Sequence, residues 1–167
     1  LFRSIEDARS IFAGYNEGMR ASDAKYKIYI HQDTFVVEKR ILFELIERFT
    51  KDPNVGMIGT LGAKKLSKDG VLWHEERCGC IYKMNDSIRD KEGDTLIQRL
   101  KEEDEIVEAI DGFFIATQYD IPWREDLFNG WDFYDISQCV EFRRAGYKIL
   151  VAGQQENWVI HERKGGH

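Results

Sequence analysis

The sequence has few cysteines, no long apolar run and no excess of basic charge. Its three cysteines, Cys78, Cys80 and Cys139, are an odd number without a regular framework. This excludes a disulfide scaffold and favours a reducing compartment. Uncharged apolar stretches, such as Gly112 to Tyr119, are far shorter than the ~20 residues of a membrane-spanning helix. With 24 Lys+Arg against 30 Asp+Glu and a net charge of -6, general affinity for nucleic acid is also excluded.

What remains is an ordinary globular composition. The chain has 167 residues, of which 43% are hydrophobic and 32% charged. A chain of this size can bury about 70% of its unfolded surface and needs no disulfide or structural metal. No repeat, linker or low-complexity tract divides it. The sequence therefore predicts one domain over residues 1–167.

Hydrophobic periodicity predicts helices alternating with strands. Helical spacing indicates helices over 5–21, with Ser4 as N-cap, 41–49 and 133–145, while the charged segment 96–105 suggests a surface helix. Short β-rich runs predict strands over 26–30, 55–59, 71–73, 80–82, 106–110, 113–117, 147–151 and 158–161. This order indicates an α/β fold with a mixed sheet flanked by helices.

The tripeptide His31-Gln32-Asp33 follows the first predicted strand directly. Ligand crevices form at the carboxyl ends of strands in open α/β sheets. A carboxylate placed there can hold a divalent cation whose shell is completed by substrate phosphates. The alternative is that Asp33 serves only as a turn or cap residue. Spacing alone does not separate these interpretations.

A second acidic cluster, Asp132 and Asp135, lies at the start of the last predicted helix. Residues three apart share a helix face, and a nearby like charge can raise one carboxyl pKa toward that of a useful base. Capping is the competing interpretation, with Asp132 as N-cap and Asp135 near the positive helix end. The residue pattern alone favours capping.

Other candidate residues are isolated. His161 and His74 each follow an apolar run, and such a histidine is more often structural than a ligand. Cys78 and Cys80 do not have the second Cys/His pair of a zinc finger. Trp131, inside the acidic cluster, is the best candidate for stacking on a sugar. No P-loop, GxGxxG, HExxH or GxSxG pattern is present.

Several segments in a fixed order resemble family 2 glycosyltransferases. The resemblance covers about residues 7–161, and the closest match is a bacterial subgroup with His-Gln-Asp in its Asp-x-Asp-type motif and a late Trp-x-x-His. The matching segments are Ala13–Met19, Lys25–Asp33, Asp111–Thr117, Phe128–Asp135 and Cys139–Ile149.

The resemblance implies a GT-A fold that moves a sugar from a nucleotide-diphosphate donor to an acceptor hydroxyl, with inversion and with Mn²⁺ or Mg²⁺ on the diphosphate. It assigns roles to residues by motif position. The expected catalytic residues are Asp135, as general base, and Asp132. Donor binding is expected of Asn16, His31 and Asp33, and acceptor or sugar binding is expected of Asp111 and Trp131. The expected metal ligands are Asp33 and His161.

Two departures from the family pattern matter. The first strand, helix and second strand that hold much of the nucleotide base have no counterpart before Leu1, so these N-terminal strands are expected to be missing here. His31 also replaces an Asp, which reduces the negative charge that attracts a metal. Both features motivate an alternative function, a non-catalytic remnant that binds nucleotide or carbohydrate. A nucleotidyltransferase with a similar sheet is a third possibility.

The expected partners are a nucleotide-sugar donor and a saccharide, lipid-linked or protein acceptor, without nucleic acid. The expected location is the bacterial cytoplasm, either free or at the inner face of the membrane. Oligomeric state is not predicted.

Overall fold

A computed structural model describes residues 2–85, 95–97 and 102–163 of the chain. Within these ranges it contains three α-helices, α1 (Ile11–Arg20), α2 (Ile41–Lys51) and α3 (Tyr134–Arg144), and a 3₁₀ helix at Leu72–His74. The strands are β1 (Lys27–Ile30), β2 (Thr34–Val36), β3 (Val55–Gly59), β4 (Leu61–Ala63), β5 (Arg77–Gly79), β6 (Ile81–Asn85), β7 (Thr95–Ile97), β8 (Glu105–Val107), β9 (Ala109–Ile110), β10 (Phe114–Thr117), β11 (Lys148–Val151) and β12 (Val159–Arg163).

The central sheet is mixed, as predicted. Its five strands run in the order β1-β10-β3-β11-β8. β3 and β11 are parallel, whereas β10 is antiparallel to both of its neighbours. The sheet separates two apolar cores: α1 and α3 pack on one face and α2 packs on the other. The α/β, GT-A-like class expected from the sequence is therefore confirmed.

A second sheet, β2-β12-β6-β7, brings distant parts of the chain together. β2 begins immediately after Asp33 and pairs antiparallel with β12. In this register Thr34 lies opposite His161. The pairing therefore places the end of the His-Gln-Asp segment beside a histidine from the last strand.

The first helix begins later than predicted. Ser10, not Ser4, is the N-cap, and its Oγ accepts the Ala13 N–H at 3.2 Å. The apolar residues before it had suggested a longer helix. Instead, Ile5 and Ala8 fold back against α1, where both lie close to Gly14. Ile5 and Ala8 have helical spacing because both side chains pack on α1, although neither residue belongs to that helix.

Two other local predictions are wrong. The expected strand over 71–73 is a turn followed by the 3₁₀ helix, because the Val71 N–H donates to Ser67 Oγ and to Asp69 Oδ1, both at 3.0 Å. The expected helix over 96–105 is contradicted at both ends. Its start lies in β7, which pairs with β6, and its last residue begins β8, which pairs with β11. Its positions 98–101 lie outside the described residues.

The remaining long elements agree with the sequence to within a few residues. β1, β3, β10, β11, α2 and α3 were all expected, whereas the short strands β2 and β4 were not. In the part of the chain that the structure covers, no helix has the length and apolar character needed to cross a membrane.

Candidate active site

Three side chains converge where β1 ends. His31, Asp33 and His161 each offer a ligand atom, and these atoms all lie within 4.8 Å of one another. His161 Nε2 is 3.1 Å from Asp33 Oδ1. The sequence predicted Asp33 and His161 as metal ligands, and the structure brings them together and adds His31. We call these three residues the cation cluster.

The backbone explains how one short segment supplies two members of the cation cluster. The His31 N–H donates to the Phe113 carbonyl at 3.2 Å, which continues the pairing of β1 with β10. The Thr34 N–H then donates to the His31 carbonyl at 3.1 Å and closes a turn. Asp33 is thus a turn residue, as one interpretation of the sequence held, and its carboxylate also faces His161.

Aromatic packing fixes the His161 ring. The buried Phe113 ring stacks on it nearly parallel, with centroids 5.5 Å apart and an interplanar angle of 12°. The His31 ring lies 5.7 Å from the His161 ring. A histidine whose ring is held in this way is oriented before any ligand arrives.

Burial keeps His31 neutral. Its pKa is lowered from the ordinary value of 6.5, first because burial penalises the imidazolium and next because His161 lies nearby. Asp33 and Asp111 oppose this shift. Neutral imidazole is the form that ligates metals, so at pH 7 His31 is in the correct protonation state.

Asp135 lies in the first turn of α3 and has an unusual environment. Its Oδ1 accepts the Ile136 N–H at 2.8 Å and its Oδ2 accepts the Gly112 N–H at 3.1 Å. Burial, reinforced by the charge of Asp111, raises the pKa of Asp135 from 3.8 to about 7, although the two N–H donors oppose the shift. A carboxylate with such a pKa suits general base catalysis near neutral pH.

Tyr134 connects Asp135 to the cation cluster. It is the first residue of α3, and its hydroxyl forms a hydrogen bond with His31 Nε2. Gly112 makes room for it, since a Cβ on Gly112 would overlap the tyrosine hydroxyl. The sequence pattern did not single out Tyr134. The available signal was its position beside Asp135 at the start of a predicted helix.

A model of the glycosyltransferase-like family matches residues 2–166. The chain belongs to that family. The match covers nearly the whole chain and confirms the resemblance to family 2-like glycosyltransferases. No curated protein matches the chain.

The capping role that the residue pattern favoured for Asp132 is wrong. Phe133 is the N-cap of α3, in a left-handed conformation with φ of 60°, and its side chain makes no capping hydrogen bond. Asp132 and Trp131 are exposed, Trp131 by 61%. A catalytic role for Asp132 and sugar stacking by Trp131 stay predictions.

Asn16 is only 1% exposed, and its side-chain amide forms hydrogen bonds between two parts of the chain. Its Nδ2 donates to the Trp123 carbonyl at 2.8 Å and to Glu125 Oε1 at 3.0 Å, while its Oδ1 accepts the Trp123 N–H at 2.8 Å. These bonds tie α1 to the segment at 123–125. The nucleotide-binding role predicted for Asn16 stays a prediction.

Asp111, predicted to bind the acceptor, precedes β10. Its Oδ1 accepts the Phe113 N–H at 3.3 Å, and its charge acts on both Asp135 and His31. The negative charge of Asp111 therefore favours the protonated form of both the candidate base and His31 of the cation cluster. Direct contact with an acceptor stays a prediction.

The buried cysteines do not form a metal site. Cys80 Sγ donates to Asn157 Oδ1 at 2.9 Å, and burial raises its pKa to about 11. Burial also raises the pKa of Cys139 to about 12. Thiols of this kind stay protonated at pH 7. Over the described ranges, the cation cluster is the only group of three or more His, Cys, Asp or Glu side chains that are close enough together to hold one metal ion.

Proposed function

We propose that the protein transfers a sugar from a nucleotide-diphosphate donor to an acceptor hydroxyl, with inversion at the anomeric carbon. One observation carries the proposal: the hydroxyl of Tyr134 contacts His31 of the cation cluster, and the next residue, Asp135, is a half-buried carboxylate with a raised pKa. Sugar transfer needs neutralisation of the leaving diphosphate and removal of a proton from the nucleophile. These two features meet both needs.

The donor set of the cation cluster fits a divalent cation. Asp33 offers a carboxylate oxygen, and His31 and His161 offer imidazole nitrogens. Imidazole ligands suit transition metals, whereas Mg²⁺ prefers oxygen ligands and water. This mixture favours Mn²⁺ over Mg²⁺. When bound, the cation would supply charge neutralisation at the donor diphosphate.

Asp135 is the proposed general base. Its deprotonated carboxylate takes the proton of the acceptor hydroxyl as the acceptor oxygen bonds to the anomeric carbon. The bond from that carbon to the diphosphate oxygen breaks, and the nucleoside diphosphate leaves with the electron pair. A single displacement of this kind inverts the anomeric centre. Such a base contributes typically 10²–10⁴-fold to the rate.

The acceptor is proposed to approach from the side of Trp131 and Asp132, which lie exposed just before α3. An exposed tryptophan close in sequence to the base can stack against the apolar face of a sugar ring. A saccharide, free or attached to a lipid or protein, fits this surface. We also propose a cytoplasmic location, free or at the inner membrane face, because an odd number of cysteines favours a reducing compartment.

The pH dependence of turnover tests the role of Asp135. The group works deprotonated and its pKa is raised to about 7, so activity should be lost as pH falls through that value. With Mn²⁺ and a nucleotide-sugar donor, we expect kcat/KM to fall about tenfold per pH unit below 7 and to level off above it. The readout is release of nucleoside diphosphate.

Thermal unfolding at each pH provides the control, because it separates loss of catalysis from loss of fold. A profile that stays flat from about pH 5 to 8 in the folded protein would mean that Asp135 is not the base.

A further inference from the structure

We propose that Tyr134 is a positioning residue, which holds His31 through Nε2 so that Nδ1 is left as the cation-binding nitrogen. The inference rests on the proposed function, since it concerns how the cation cluster is prepared for its cation. It assigns a task to a side chain that lies within a matching segment but to which neither the motifs nor the family match gives a role.

The contact joins a buried tyrosine to a member of the cation cluster. The Tyr134 hydroxyl forms a hydrogen bond with His31 Nε2, and Tyr134 is only 6% exposed. Its ring packs edge-on against Tyr15, with centroids 5.7 Å apart, and lies 6.3 Å from the Trp123 ring. Packing on several sides holds the hydroxyl at one position.

The local backbone is arranged around this side chain. Phe133, immediately before it, takes a left-handed conformation that is costly for a bulky residue. Across from it, Gly112 leaves no Cβ where the Tyr134 hydroxyl lies. The Gly112 N–H also donates to Asp135. Two backbone features at this point thus accommodate the tyrosine, and one of them also holds the candidate base.

A tyrosine hydroxyl can donate to a ring nitrogen or accept from it, so the contact between Tyr134 and His31 fits either tautomer of His31. We assign the tautomer in which Nε2 carries the proton. A neutral imidazole carries one proton, and its other nitrogen has a bare lone pair. If the Nε2–H of His31 donates to the Tyr134 oxygen, Nδ1 has the lone pair that a cation needs. Metal-ligating histidines usually donate their second ring N–H to a carboxylate, a backbone carbonyl or water, and here the Tyr134 oxygen takes the place of such an acceptor. Burial also raises the pKa of Tyr134 well above its ordinary value, so the hydroxyl is not ionised.

The tautomer can be measured without any metal. In ¹⁵N-labelled, metal-free protein at about pH 8, long-range ¹H–¹⁵N correlations distinguish the two ring nitrogens of a neutral histidine. We expect His31 to carry its proton on Nε2 in the wild type. In Tyr134→Phe, which keeps the ring but removes the hydroxyl, we expect this preference to be lost. A proton on Nδ1 in the wild type, or an unchanged tautomer in Tyr134→Phe, would overturn the proposal.

Cation affinity gives a second readout. Loss of a partner that orients a metal-ligating histidine typically weakens binding by about 10–100-fold. We expect that loss of Mn²⁺ affinity in Tyr134→Phe by calorimetry. Tyr15→Phe is the matched control, because it removes a hydroxyl from the same aromatic cluster but lies outside the cation cluster, and its affinity should equal that of the wild type. Equal weakening in both variants, or none in Tyr134→Phe, would overturn the proposal.

The two measurements distinguish failure of the cation site from failure of the role proposed for Tyr134. If the wild-type protein binds no Mn²⁺, the cation site of the proposed function fails, and this inference fails with it. If the wild type binds Mn²⁺ and Tyr134→Phe binds it equally well, the cation site stands and only the role of Tyr134 is lost.

Discussion

Replacing Asp135 by asparagine is expected to lower kcat by about 10²–10⁴-fold. An amide has nearly the shape of the carboxylate but cannot take a proton from the acceptor. Its oxygen can still accept one of the two N–H groups, of Ile136 and Gly112, that the carboxylate accepts now. Donor binding should change little, because Asp135 is not a member of the cation cluster.

The measurement is steady-state transfer with saturating donor and Mn²⁺, beside nucleoside diphosphate affinity for each variant. Asp126→Asn is the matched control, since Asp126 is an exposed carboxylate paired with Arg124. Asp132→Asn belongs in the same series and shows whether the neighbouring exposed carboxylate contributes. Full activity in Asp135→Asn would contradict the assignment of the base.

Replacing Asp33 by alanine is expected to have an equally large effect on cation binding. Asp33 is the single carboxylate of the cation cluster, so the variant leaves two imidazoles and no carboxylate within it. Loss of an outer-shell partner typically costs 10–100-fold in metal affinity. Loss of a ligand that also carries the charge should therefore weaken Mn²⁺ binding by at least about 100-fold.

Calorimetric titration of Mn²⁺ checks this expectation, with circular dichroism to confirm that the variant is folded. Asp23→Ala removes an exposed carboxylate from the segment before β1 and serves as the control. Unchanged Mn²⁺ affinity in Asp33→Ala, or the same loss in Asp23→Ala, would show that the cation cluster is not the binding site.

The sequence predicted the elements whose pattern depends on local packing. Every residue of β3 is buried, so its apolar run was recognisable, and α2 has a regular apolar face. The start of α1 was misplaced because Ser4 and Ser10 both make acceptable caps. Only the tertiary fold decides between them, by folding the residues between the two serines back onto α1.

The sequence predicted residues of the candidate site but not how the fold brings them together. Asp33 and His161 are separated by 128 positions and meet because β2 pairs with β12. β2 is too short to give a clear pattern, and spacing alone left Asp33 open to a turn role. The hydrogen bond between Tyr134 and His31 depends on a left-handed Phe133 and on close approach to Gly112. Neither feature has a signature in a single sequence.

Metal-assisted binding of a nucleotide donor can be tested by thermal unfolding of the full chain with a panel of nucleoside diphosphates, with and without Mn²⁺. A ligand at 100 times its dissociation constant stabilises the folded state by about 2.7 kcal/mol, which is a rise of several degrees in Tm for a domain of this size. We predict that rise for one nucleotide, only with Mn²⁺, and its loss in Asp33→Ala. No rise with any nucleotide in the folded protein, or a rise that is the same without Mn²⁺ and in Asp33→Ala, would contradict metal-assisted donor binding.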